Sequence, residues 1–196
     1  MRDSNTPVLV GVGQVTERDP DLDTASSPLD LMEQAALLAT EDADLSREKL
    51  AHLDALVVME TFREYTRNPP ESLAARLGAQ QASAWLMCHG GNGPQFLVNY
   101  FSEEISKGNM RFVLLAGAEA MDTARRLTKS GNKPNWSIPS HGDAQYLIVV
   151  KQKVGAECAG LNSLCELTHP EAQLCPERKL SIRHHQERFL SSRPNP

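Results

Sequence analysis

The sequence predicts an α/β domain, a mixed and mostly parallel sheet flanked by helices. Short apolar runs, Val8–Val12, Ala55–Met59, Ser83–Cys88 and Arg111–Ala116, alternate with segments of helical spacing. The Val8–Val12 run is nearly continuous, as in strands covered on both faces. Strands interleaved with helices take parallel neighbours through right-handed crossovers, which places helices on both faces of the sheet.

After the first strand an acidic loop with Asp19, Asp21 and Asp23 reads as solvated, because it lacks the glycine and distal glutamate of a calcium loop. Ser27 then caps a helix with Pro28 at its first position, and Met32, Ala35, Ala36 and Ala39 form its apolar stripe. A short helical turn over Arg47–His52 precedes the second strand, Ala55–Met59. The segment Phe62–Pro70 reads as a surface connection stiffened by two prolines, with a pocket wall as the alternative. A helix over Glu71–Leu77 ends at Gly78, and the next strand runs to Cys88.

The chain's densest signal follows at Met87–Asn99, where a strand, a glycine turn and a helix start meet. Phe96, Leu97, Tyr100, Phe101 and Ile105 recur at helical spacing, and Pro94 suits the first helical position because its missing N–H is lost there anyway. The first-turn amides are then expected to point out of the turn, with the positive end of the helix dipole behind them. Gly90, Gly91, Asn92, Gly93 and Gln95 are therefore the candidate substrate-binding residues, suited to an oxyanion, a thiolate or a phosphate. Beside them Cys88 reads as a small buried hydrophobe, with a nucleophilic thiol as the alternative. His89 reads as a turn histidine, since adjacent strand residues point to opposite faces.

Together with Pro7–Val15, Ser27–Met32, the Leu114–Met121 segment and Trp136, this junction resembles the thiolase superfamily, in its sterol-carrier-type and thiolase-like branches. The resemblance implies one half of a thiolase fold over residues 1–150, acyl-CoA thioester as the substrate class, and a nucleophilic cysteine at the start of the helix near Pro94. Here the pattern departs: the family's spacing from Glu119 and Met121 falls on Gly91 or Asn92, which cannot attack a thioester. The family's later catalytic groups have no counterpart either, and His169-Pro170 and Cys158-Ala159-Gly160 read as coincidental matches. The expectation is a short thiolase-like protein that binds CoA or acyl-CoA, needs no cofactor and lacks the machinery for Claisen chemistry.

In the family the central helix lies between two sheets, so one apolar side of Phe96, Leu97, Tyr100 and Phe101 is expected to lack cover. This implies a homodimer or a thiolase-like partner subunit, and a non-catalytic interaction subunit is the alternative function. Arg125, Arg126, Lys129 and Lys133 form a basic cluster after Glu119, read as a solvated loop or, at Arg125 and Arg126, as partners for CoA phosphates.

The 196 residues carry a formal net charge of -5, which argues against a nucleic-acid or anionic-membrane partner. No run is long and apolar enough for a membrane span, and Met1–Thr6 has no signal-peptide core. With four cysteines as reduced thiols, the expected location is cytoplasmic. Ala144–Val150 reads as a further strand, and residues 151–196 as a divergent tail with a helix over Glu177–Leu190. Cys158, Cys165, His169 and Cys175 could close a tetrahedral zinc site and staple this tail, though without a Cys-x-x-Cys knuckle.

Overall fold

An unbroken Ala-Leu-Val-Val run can be satisfied only where both faces of a strand are covered, and β1 (Ala55–Met59) occupies that place at the centre of the sheet. The computed structural model describes residues 5–18, 20–62, 66–88, 90–134, 136 and 142–147. The chain divides into two units, Met1–Ile148 and Val149–Pro196, and the described residues all lie in the first.

The elements follow in the order α1 (Pro28–Asp42), a 3-10 helix (Arg47–His52), β1, α2 (Pro69–Leu77), β2 (Ser83–Met87), α3 (Gly93–Ser106), β3 (Val113–Ala116) and α4 (Met121–Lys129). The three strands form a parallel sheet in the order β2-β1-β3, so the expected α/β class holds. Ala55 lies opposite both Ser83 and Val113. Asp54 fixes the second register, because its carboxylate accepts the N–H groups of Arg111 and Phe112 while its own N–H donates to the Phe112 carbonyl.

Alternate residues of β1 serve two cores. Leu56 and Val58 join Leu29, Met32 and Ala36 of α1 and Leu73, Ala74 and Leu77 of α2, while Ala55 and Val57 join Trp85 with Leu97 and Phe101 of α3. The chain steps from β1 outward to β2, then back across β1 to β3, so crossovers of one hand place α2 and α3 on opposite faces. Trp85 and Phe101 stack at 6.2 Å between ring centroids.

Local chemistry sets the helix ends. Ser27 and Asp30 form a full capping box at α1. Asn68 caps α2, and Pro69 and Pro70 are its first residues and fully buried, so they start a helix and fill the core where the sequence suggested a surface connection. Residues after Glu119 also differ from the solvated loop expected of them. Arg125, Arg126 and Lys129 lie on α4, because Ala124 and Leu127 give that stretch a buried stripe against Trp136.

The first apolar run departs most from expectation. Residues 7–18 form no strand, and Val8, Leu9, Val10 and Val12 are 54% to 84% exposed. Their backbone runs along α1: a Cβ at Gly11 would lie 2.1 Å from the Ala39 carbonyl oxygen, and the Val12 N–H donates to Asp42 at 2.9 Å. With both ladder edges of β1 taken by β2 and β3, the run packs through its backbone and turns its side chains outward. At the other end of the described chain, Tyr146 forms a parallel bridge to Leu86 on the outer edge of β2, and 148–150 lie outside the described residues. The same holds for His89, His141, the helix expected over Glu177–Leu190 and the four zinc candidates Cys158, Cys165, His169 and Cys175.

Candidate functional site

The loop after β1 leads to α2 on one face of the sheet, and the loop after the adjacent β2 leads to α3 on the other. The two loops part above the carboxyl ends of the strands, which is the switch point where open parallel sheets bind ligands. Met59, Glu60 and Thr61 stand on one side of the parting and Cys88 and Gly90–Gly93 on the other. The glycine turn singled out from the sequence thus lies at the fold's crevice.

The helix start is one residue earlier than expected. Gly93 is the first residue of α3 and Pro94 the second. The turn also spends more of its donors than expected: the Gly93 N–H bonds the Gly90 carbonyl at 2.9 Å, the Phe96 N–H bonds the Asn92 carbonyl at 3.0 Å, and Pro94 has none. The Gln95 amide is what the first turn leaves for an outside acceptor, with the helix dipole behind it. Asn92 has helical backbone angles and makes no side-chain cap, while the Gln95 side chain donates to Asn99 at 2.9 Å. Gly91, Asn92 and Gln95 are exposed and Gly90 is half-buried, so the turn faces solvent, whereas Gly93 is buried.

Gly93 is buried because Met59 lies against it. A Cβ on Gly93 would come within 2.6 Å of the Met59 methyl carbon, and one on Gly117 within 3.1 Å of Met59 Cβ. The end of the central strand, the start of α3 and the turn after β3 therefore meet around one side chain. Cys88, half-buried and in no disulfide, follows β2 directly. The Glu60 N–H donates to Met87 at 2.8 Å, which carries the ladder one step past the strand ends and sets Glu60 opposite Cys88.

Two carboxylates shape this end of the sheet: Glu60, assigned no role from the sequence, and Glu119, which served only as a landmark of the resemblance. Glu119 accepts the Phe62 N–H at 2.9 Å, and Glu60 accepts the Tyr146 hydroxyl at 3.0 Å. Both bonds join parts of the chain far apart in sequence, so no local spacing announced them. The loop after β1 is further tied by Arg67, which pairs with Asp143 at 2.6 Å. Of the two expected phosphate partners, Arg125 is exposed and pairs with Asp122 one turn earlier on α4, and Arg126 is half-buried. Among the described residues no cluster of three metal-ligating side chains occurs, and no helix is long and apolar enough to cross a membrane.

The α3 face is better covered than expected. Leu97 and Phe101 are buried against the sheet, Phe96 and Tyr100 are half-buried and stacked at 6.3 Å, and Val98 is 48% exposed. Burial, reinforced by nearby Glu104, raises the Tyr100 hydroxyl above its ordinary pKa, so Tyr100 stays neutral there.

No protein-family model matches the chain, and no curated protein matches it by sequence. Among solved structures it is similar to a monomeric SCP2-thiolase-like protein type 1 from Mycobacterium smegmatis, at 37% identity and a TM-score of 0.51, over 60% of this chain and 24% of that one. A 3-oxoacyl-acyl-carrier-protein synthase III from Aquifex aeolicus matches at 24% identity and a TM-score of 0.44, over 52% and 32% of the two chains. Xanthomonas campestris OleA, solved with bound lauric acid and lauroyl-CoA, matches at 17% identity and a TM-score of 0.46, over 55% and 32%. The chain spans about a quarter of the length of the M. smegmatis protein, the 24% given above. With a parallel sheet flanked by helices and 37% identity to an SCP2-thiolase-like protein, the chain resembles the thiolase superfamily.

Proposed function

We propose that this chain binds CoA or an acyl-CoA thioester at the Gly90–Gln95 turn and does not itself carry out Claisen chemistry. The observation that carries the reading is the position of the turn: glycine-rich, solvent-facing and at the start of a 14-residue helix, it lies at the switch point of the sheet. A thioester carbonyl held there would meet the Gln95 amide and the helix dipole. Arg125 and Arg126 of α4, which follows β3 at the same end of the sheet, would pair with the phosphates of CoA, Arg125 by exchanging Asp122 for phosphate. At the helix start, where thiolases place a cysteine, this chain has Gly91 and Asn92, and Cys88 lies earlier, directly after the strand. The binding unit comprises residues 1–150, with 151–196 as an appended tail, and the location is cytoplasmic.

The test is a thermal unfolding curve of the full chain with and without CoA in excess. A ligand that binds only the folded state at one hundred times its Kd adds about 2.7 kcal/mol. The expected result is a higher midpoint with CoA. A cooperative transition that CoA does not move would overturn the reading.

A second reading has its own observation. The half-buried Phe96 and Tyr100, stacked on each other, leave an apolar strip along one flank of α3, which would suit a second copy or a thiolase-like partner subunit. Sedimentation across a concentration series checks the homodimer, and co-purification with a full-length thiolase-like protein checks the partner.

A further inference from the structure

Met59 ends the central strand on the α3 side of the sheet, in company with Met87, Phe96 and Leu115. Its stem passes Gly117 and its tip reaches Gly93, where a Cβ would lie 2.6 Å from the methyl carbon and 3.4 Å from the sulfur. The side chain thus bridges the turn after β3 and the first residue of α3, and residues without a Cβ at both points leave it the room. Met59, Met87, Phe96 and Leu115 are all half-buried. Methionine is unbranched and has three rotatable side-chain bonds, so it can swing aside without backbone movement, which a β-branched residue cannot do.

We propose that Met59 is a movable plug that sets chain-length specificity: swung aside, it opens an apolar slot between Gly93 and Gly117 for the hydrocarbon tail of an acyl thioester held at the glycine turn. This inference rests on the CoA reading and deepens it. A straight alkyl chain is the occupant that the lining favours. Met87, Phe96 and Leu115 offer no side-chain partner for a polar substituent, which would lose its water without replacement, whereas each methylene that enters leaves water favourably.

The test measures affinities of CoA, butanoyl-CoA and dodecanoyl-CoA by titration calorimetry for the full chain and for Met59→Ala and Met59→Ile. In the wild type dodecanoyl-CoA is expected to bind more tightly than butanoyl-CoA. Removing the plug with Met59→Ala should tighten dodecanoyl-CoA about tenfold, and stiffening it with Met59→Ile should weaken that ligand about tenfold, with CoA unchanged in both. Should Met59→Ile lack a cooperative melt, the comparison of Met59→Ala with wild type decides alone. CoA binding without a chain-length preference that responds to residue 59 overturns the plug and leaves the CoA reading standing. Failure of CoA and both thioesters to bind overturns the CoA reading and the plug with it.

Discussion

The Glu119 carboxylate accepts the backbone N–H of Phe62 at 2.9 Å, tying the loop after the central strand to the turn after β3. A hydrogen bond to a charged acceptor contributes about 1.5–3 kcal/mol, and this one lies toward the low end because both residues are exposed. Glu119→Gln keeps an acceptor oxygen and should cost little. Glu119→Ala should lower stability by about 1.5 kcal/mol and speed hydrogen exchange at the Phe62 amide. An unchanged Phe62 exchange rate in Glu119→Ala would show that the loop is held by other means.

The Ser27–Asp30 capping box predicts a pH effect. Partial burial of Asp30 opposes its charged form, but hydrogen bonds from Arg76 and from Ser27 outweigh it and hold the carboxyl below its ordinary value. A carboxyl depressed in the folded state contributes stability that is complete above its unfolded value, about 3.9, and is lost as pH falls through the lower folded value. The acid limb of a stability–pH curve should therefore flatten below about pH 4 in Asp30→Asn. Ser27→Ala should cost about 1 kcal/mol at neutral pH, since it removes the acceptor for the Asp30 N–H. An acid limb identical in Asp30→Asn and wild type would refute the linkage.

Met59 and Gly93 should be energetically coupled. Gly93→Ala alone pushes its new methyl into the Met59 tip, a cost limited to about 1 kcal/mol because the far end of a flexible side chain can move. In the Met59→Ala background that contact is gone and the same substitution should be neutral or stabilising, since alanine suits a helix better than glycine. A double-mutant cycle by urea denaturation should give a coupling of at least about 0.5 kcal/mol, and additivity would mean that the two do not touch.

Interior elements were legible because their signals are local. The cap at Ser27, the apolar run of β1 and the helical spacing of Leu97 and Phe101 each follow from a few neighbouring residues, and the structure has all three. The glycine turn was legible as a junction of strand and helix. Its importance to the fold was not, because the switch point depends on β3 pairing beside β1 across the path of α3, and no local pattern encodes that. The same holds for Glu119 and Glu60, whose partners lie 57 and 86 residues away in sequence. α4 was missed because a stretch with four basic residues reads as solvated until Trp136 supplies the surface for Ala124 and Leu127.

The Val8–Val12 run shows how an apolar pattern can mislead, and its exposure is directly testable. A strand buried on both faces would tolerate no charge, whereas Leu9 is 84% exposed and Val57 fully buried although both sit in similar apolar runs. Leu9→Lys should therefore change stability by less than about 0.5 kcal/mol, the usual range for surface positions. Val57→Lys should prevent cooperative folding, because an unpaired charge would be buried between Trp85 and Leu97. The milder Val57→Ala should cost about 2–4 kcal/mol through lost burial and a residual cavity. Chemical denaturation of Leu9→Lys beside Val57→Ala decides the matter: a large loss in the first would mean that residues 8–12 are covered in the folded protein in solution.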